Sequence, residues 1–170
     1  APTRSTGGRL RRRPSLSPEK TVRPDRVVVV VVLALICGLQ SPAAADETPN
    51  QTIDRMFRHV NLIRAMNGVG PLKLNKRLTS AAQMHAEDMA RRDYVDHRAP
   101  DGRALQDRIQ SAGYPWRVIS ENVAAGRSSP IATVDSWMTS AGHRDNMLGR
   151  DYQDVGIGYA VPTGEGKRPT

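Results

Sequence analysis

Apolar residues recur every three or four positions through much of the chain after residue 50, a spacing that puts them on one face of a helix. The pattern predicts helices over residues 52–67 and 75–92, the second one capped by Asn75. A shorter helix is expected between residues 102 and 113, and a fourth begins at Ser129-Pro130, because proline is tolerated in the first turn. The apolar stripe of the first helix is Ile53, Met56, Phe57, Val60, Ile63 and Met66.

Two segments have the pattern of strands. Residues 116–123 form an extended stretch, and residues 154–161 alternate strictly between large apolar residues and glycine or alanine. The second strand therefore has a bare face, which another element can approach closely. The predicted order is two helices, a shorter helix, a strand, a helix and a strand.

An apolar run, VVVVVVLALICGL at residues 27–39, precedes these elements. It is shorter than the ~20 residues of a membrane-spanning helix. Basic residues come before it and Ala43-Ala44-Ala45 follows it, which predicts a secretory signal peptide of the general rather than the twin-arginine type. We expect cleavage after Ala45, with a basic leader and signal at 1–45, a folded domain at 46–170, secretion, and no stable membrane anchor afterwards. The alternative is a core strand, since six consecutive valines also suit a strand.

The charge of the chain is concentrated in this leader. The 170 residues carry a formal charge of +8, and residues 1–45 hold eight of the 25 basic and two of the 17 acidic residues. The remaining 17 basic and 15 acidic residues give the predicted domain only +2. With 4% aromatics as well, the composition argues against a nucleic-acid partner. One cysteine excludes an intramolecular disulfide.

Candidate chemistry rests on two histidines and a glutamate. His97 lies in a predicted loop, His143 lies just beyond the fourth predicted helix, and Glu121 sits between Ile119 and Val123 in the first strand. A carboxylate on an apolar face needs a partner. Two imidazoles and a carboxylate can hold a zinc ion and leave one position open to water. His85 is interpreted as a core or boundary residue.

Several short motifs, in order from about residue 53 to 161, together resemble the bacterial members of the CAP superfamily, which includes cysteine-rich secretory, antigen five and pathogenesis-related proteins. Each motif is weak alone, but the series is specific. They are Asn61-x-x-Arg64-x-x-Asn67-Gly68 with Pro71-Leu72, Tyr94-Val-Asp-His97, Glu121-Asn-Val-Ala124, the segment from Trp137 to Asn146, and Val155-Gly-Ile-Gly-Tyr-Ala160.

The resemblance implies an α+β fold, a three-layer α-β-α sandwich around a small antiparallel sheet. It also implies a cavity lined by two histidines and two acids that can bind a divalent metal such as zinc. Carried over to this chain, the metal ligands are His97, His143 and Glu121. The second acid is replaced by Ser140, so the set is incomplete.

The resemblance further implies a last strand after residue 161. Residues 163–170 contain two glycines and a proline and do not suit one. We therefore expect a sheet without its last strand, in a domain that is less stable and prone to aggregate or that is completed by a partner chain.

Two functions follow as expectations. The favoured one is a secreted, non-catalytic module that binds an apolar or lipid-like ligand, an extracellular protein or a divalent metal through the His–Glu–His cavity. The alternative is a zinc-dependent hydrolase or protease in which Glu121 is the general base. A third interpretation is purely structural, with the three residues hydrogen-bonded across the cavity.

Overall fold

The computed structural model describes residues 27–34, 48–126 and 129–161, the first of these segments by its backbone alone. None of the helices in this part of the chain is long and apolar enough to cross a membrane. The elements in chain order are β1 (Val27–Ala34), α1 (Pro49–Met66), β2 (Lys73–Leu74), α2 (Lys76–Arg92), α3 (Leu105–Ser111), β3 (Val118–Ala124), α4 (Pro130–Met138), α5 (Ala141–Leu148) and β4 (Tyr152–Ala160).

The two long helices follow the predicted pattern, and their ends are set by capping. The Thr48 hydroxyl accepts a hydrogen bond from the Gln51 backbone N–H, and the Gln51 side chain accepts one from the Thr48 N–H, so α1 starts three residues earlier than expected. Asn75 caps α2 as predicted. Asp93, in a left-handed conformation with φ 54°, ends α2.

The fourth predicted helix is in fact followed directly by another. Helix α4 ends at Met138, and α5 begins after Ser140, its N-cap residue. Helix α5 has few apolar residues, so the sequence shows no apolar stripe that would predict this helix. His143 does lie beyond the fourth predicted helix, but it is a residue of α5 and not of a loop.

The described sheet has the strand order β2-β4-β1-β3. Each described pair of neighbouring strands is parallel, so the antiparallel sheet expected from the resemblance is not found in the described residues. Strands β4 and β1 take the two inner positions. Strand β1 runs from Val27 opposite Val118 to Leu33 opposite Ala124 on one side and pairs with β4 on the other.

Strand β1 lies within the apolar run. In the structure these residues therefore form a strand, as the alternative to a signal peptide predicted. The signal peptide and its cleavage site stay predictions, since Ala45 lies outside the described residues. The C-terminal segment 162–170, where a last strand is expected to be missing, also lies outside them.

The helices form layers on the two sides of the sheet, as the three-layer prediction requires. On one side, buried residues of α1, α4 and α5 pack against Val155 and Ile157 of β4. On the other side, α2 and α3 form a second apolar cluster, and Gly156 and Gly158 of β4 face α2 directly. The bare face predicted for the last strand is therefore a packing surface. The α+β, three-layer fold is confirmed.

Candidate functional site

Glu121 is the centre of the candidate site. It lies in the middle of β3, its side chain is only 2% exposed, and both carboxylate oxygens are engaged. Oε1 accepts a hydrogen bond from Nη2 of Arg108 at 2.6 Å, and Oε2 lies 2.9 Å from Nδ1 of His97. The partners that a carboxylate on an apolar face requires are thus an arginine and a histidine.

Arg108 is the functional residue that sequence reasoning missed. It lies on α3, its side chain is 6% exposed, and its Nη1 donates to the backbone oxygen of His97 at 2.9 Å. The signal for it in the sequence is weak: Arg108 is three residues after Leu105, so the two side chains are neighbours on the helix surface. Its burial, which requires an anionic partner, is seen only in the fold.

His97 lies in the segment between α2 and α3, with 57% of its side chain exposed. The pKa of His97 is raised, mainly by its hydrogen bond to Glu121, whereas burial acts to lower it. The loop is held from both sides, because Arg108 binds the backbone oxygen of His97 and His85 Nε2 lies 2.9 Å from that of Asp96.

His85 belongs to this supporting layer. It is 2% exposed, and Tyr94, whose hydroxyl donates to Asp88 at 2.8 Å, lies beside it. Burial is the main cause of the lowered pKa of His85, and the charge of Arg108 adds to it. Burial, followed by the hydrogen bond to Asp88, raises the pKa of Tyr94. The position of His85 agrees with its interpretation as a core histidine.

Helix α5 is attached to β3 by amide side chains. Asn122 Nδ2 donates to the backbone oxygen of His143 at 3.1 Å, and Asn146 Nδ2 donates to Asn122 Oδ1 at 2.9 Å and to the Glu121 backbone oxygen at 3.2 Å. Asn122 is fully buried, so these hydrogen bonds fix the helix against the strand.

An open cleft of about 320 Å³ lies beside the cluster. It is bounded by residues of the His97 segment, α3, β3 and α5, and Glu121 is the acidic residue among them. Its walls are His97, Arg98, Ala104, Leu105, Gln106, Ser120, Glu121 and Asn146. A larger cleft of about 590 Å³ lies elsewhere, between the start of α1, β2 and α2.

The three predicted metal ligands are only partly brought together. His97 and Glu121 are in contact, whereas His143 is half-buried on α5 and does not line the cleft. Among the described residues, no three His, Cys, Asp or Glu side chains are grouped so that they could hold a metal ion. One Glu121 oxygen is bound to a guanidinium cation, so this arrangement of donors does not fit a divalent ion. The ligand set stays a prediction of the resemblance.

Comparison with known proteins places the chain in a family. The model of the cysteine-rich secretory protein family, CAP, matches residues 57–167. The chain is 30% identical over 129 residues to the uncharacterized protein YkwD of Bacillus subtilis (strain 168), covering 71% of this chain and 50% of YkwD. It is 31% identical over 98 residues to the uncharacterized membrane protein YlbC of the same organism, covering 58% of this chain and 28% of YlbC.

A solved structure agrees with the family match. The fold is similar to that of an extracellular protein containing a SCP domain from Bacillus anthracis str. Ames, with a TM-score of 0.65 and 27% identity. The match covers 73% of this chain and 42% of that chain, so this chain spans about half the length, or less, of the relatives it matches. The chain belongs to the cysteine-rich secretory protein (CAP) family.

Proposed function

We propose that this chain is an extracellular, non-catalytic binding module, which takes a small ligand with an apolar part in the cleft beside His97 and Glu121. The observation that carries the proposal is the engagement of both Glu121 oxygens, by Arg108 and by His97. A general base must reach the proton that it removes, directly or through one water molecule. A buried carboxylate already bound on both oxygens instead fixes the shape of the cleft.

The walls of the cleft indicate the chemistry of the ligand. Ala104 and Leu105 offer apolar surface, whereas Gln106 and Asn146 offer amide groups. The charge of the one acid in the walls is balanced by a buried arginine, which leaves Arg98 as a basic group in the wall. A ligand with an apolar chain and a polar or anionic head, such as a fatty acid, suits this combination. An extracellular protein that presents a similar side chain is the other partner class.

Secretion is supported by two independent observations. The similar Bacillus anthracis protein is described as extracellular. The basic flank, apolar run and Ala-x-Ala exit of this chain have the pattern of a signal peptide. The protein recovered from the culture medium is therefore expected to have Asp46 as its N-terminal residue. Retention of residues 27–45 in the protein from the medium would contradict the predicted cleavage.

Titration of the isotope-labelled full chain with decanoate, followed by amide chemical shifts, tests the binding site. Saturable shifts are expected at Leu105, Gln106 and Asn146, and the affinity is expected to fall in His97→Ala. His59→Ala is the matched control, since His59 is bound to Asp135 on a different surface. No saturable shift, or shifts confined to the larger cleft around Ile53, would contradict the proposal.

The zinc-dependent hydrolase remains the alternative function. It requires Glu121 to release one of its two partners so that an oxygen can act as a base, with zinc held as the resemblance implies. Hydrolysis of casein that depends on zinc, and that is lost in Glu121→Gln while the zinc is retained, would replace the binding proposal by this one.

A further inference from the structure

Arg108 occupies one of the two carboxylate oxygens of Glu121. Its Nη2 lies 2.6 Å from Oε1 of Glu121, and the two side chains are 6% and 2% exposed. Its Nη1 is bound to the His97 backbone oxygen at 2.9 Å. The guanidinium therefore joins the carboxylate and the histidine segment into one closed cluster.

This guanidinium is not free to turn away. Moving it would break the hydrogen bond to His97 and leave the charge of Glu121 buried with less compensation. Breaking a buried pair by removing one partner is strongly unfavourable, because the remaining charge lacks both water and a counter-ion. Arg108 is therefore a fixed part of the cluster.

A divalent cation in the same place would meet this fixed charge. Zinc binds carboxylate oxygens at about 2.0–2.2 Å, so an ion on Glu121 would lie within a few ångströms of the guanidinium. Like charges at that separation repel strongly in a buried environment. The ion would also have to displace His97 Nδ1 from Oε2 or use the oxygen already bound to Arg108.

We infer that Arg108 is the resident cation of this cluster, and that it excludes a divalent metal ion from Glu121 and His97. Arg108 is then the residue that sets the charge specificity of the cleft. Loss of its positive charge turns a compensated Glu121 into a buried anion with a neighbouring imidazole, which is a partial metal site. This inference holds whether or not the cleft binds the proposed apolar ligand.

Zinc binding to the full chain tests the inference, measured as bound zinc after equilibrium dialysis and as the shift of the melting temperature. The variants are Arg108→Met, which keeps an unbranched side chain without the charge, and Arg108→Met combined with Glu121→Gln. Arg103→Met is the matched control, because Arg103 lies just before α3 and pairs with Asp101 instead. A ligand that binds only the folded state raises the melting temperature.

The expected result is that the wild type and Arg103→Met retain no zinc at the cluster. Arg108→Met is expected to bind zinc at least about tenfold more tightly, and the added Glu121→Gln change is expected to abolish the gain. Equal zinc binding by folded Arg108→Met and the wild type would overturn the inference.

If Arg108→Met does not fold, a comparison of the wild type with the single variant Glu121→Gln decides the question. Zinc that is bound by the wild type and lost in Glu121→Gln would overturn the inference, since the metal would then share the carboxylate with Arg108. Zinc binding that is absent, or unchanged by Glu121→Gln, supports it.

Discussion

Gly156 in β4 lies so close to the backbone of Leu78 in α2 that a β-carbon has no room between them. Two residues further along, Gly158 meets the backbone of Ala82 in the same way. Positions 156 and 158 lie on the same face of the sheet, because successive residues of a strand face opposite sides. The absence of side chains at these two positions allows α2 to lie directly on β4.

Gly156→Ala is therefore expected to destabilise the protein by about 2 kcal/mol or more, because the obstacle is backbone and cannot turn away. Urea unfolding measures the change. Gly142→Ala is the control, since a β-carbon there meets nothing within 4 Å and alanine is favoured in a helix. Equal stability of the two variants would show that the strand and α2 are further apart than described.

The carbonyl groups around Arg64 lead to a second prediction. This guanidinium is fully buried and donates to the backbone oxygens of Gly70 at 2.8 Å and Met147 at 2.7 Å, with Gly149 at 3.1 Å. It therefore joins the loop after α1 to the end of α5. Arg64→Met would remove the donor from all three oxygens, of which that of Met147 lies in a buried residue.

The expected loss for Arg64→Met is about 3 kcal/mol or more in the free energy of unfolding, since hydrogen bonds to charged groups are worth about 1.5–3 kcal/mol each and unsatisfied acceptors cost more. Urea denaturation measures it. Arg150→Met is the control, because Arg150 is exposed and donates to Gly68 at 3.3 Å. A loss no larger than that of the control would mean that water replaces the guanidinium.

The sequence predicted those elements whose signal is local. Helices α1 and α2 combine an apolar period with capping residues, and β4 alternates strictly, so each was found within a few residues of its position. Helix α5 was missed because its sequence, AGHRDNML, has almost no apolar stripe, and its place is set by the amide contacts of Asn122 and Asn146. Contacts of this kind, between distant segments, produce no periodic pattern in the sequence.

The candidate site was predicted in part for the same reason. Glu121 stood out because a charge in an apolar strand requires a partner, and His97 stood out as a histidine in a predicted loop, where functional residues often lie. Arg108 did not, because an arginine on a short helix is usually a surface residue, and only the fold brings it to Glu121. The parallel pairing of β1 is likewise non-local: the valines suit a strand, but the basic flank and the Ala-x-Ala exit favoured a signal peptide, and only the pairing with β3 and β4 shows the strand.

A third prediction concerns the histidines that support and form the site. Burial lowers the pKa of His85 from 6.5, whereas the hydrogen bond to Glu121 raises that of His97 above 6.5. His97 is therefore expected to titrate at a higher pH than His85. Histidine ring signals followed by NMR between about pH 5 and 8, with a metal chelator present, measure both values. The reverse order would contradict the described contacts.

The two shifts affect stability on opposite sides of pH 6.5. Below it the unfolded state takes up a proton that the buried His85 resists, so the folded state loses stability as the pH falls from 6.5 towards the lower pKa of His85. The contribution of His97 is fully present below 6.5 and is lost as the pH rises through its higher pKa. Compared with the wild type, His85→Gln should lose less stability on acidification.

The last prediction concerns β1, which separates β3 from β4 in the described sheet and pairs with both. Removal of Val27–Ala34 would leave each of those strands with an unpaired edge, and exposed edges promote association. A chain that begins at Asp46 is therefore expected to melt at a lower temperature than the full chain and to associate, as measured by thermal unfolding and light scattering.

A chain that lacks only residues 1–26 keeps β1 and is the matched control, which is expected to melt like the full chain. If the chain from Asp46 instead melts cooperatively as a monomer at the same temperature, β1 contributes nothing to the fold, and the apolar run serves as a signal alone. If it associates, cleavage after Ala45 would remove an inner strand, so the secreted protein would need another extended segment between β3 and β4. With the predicted cleavage, the valine run would therefore link export of the protein to the stability of its sheet.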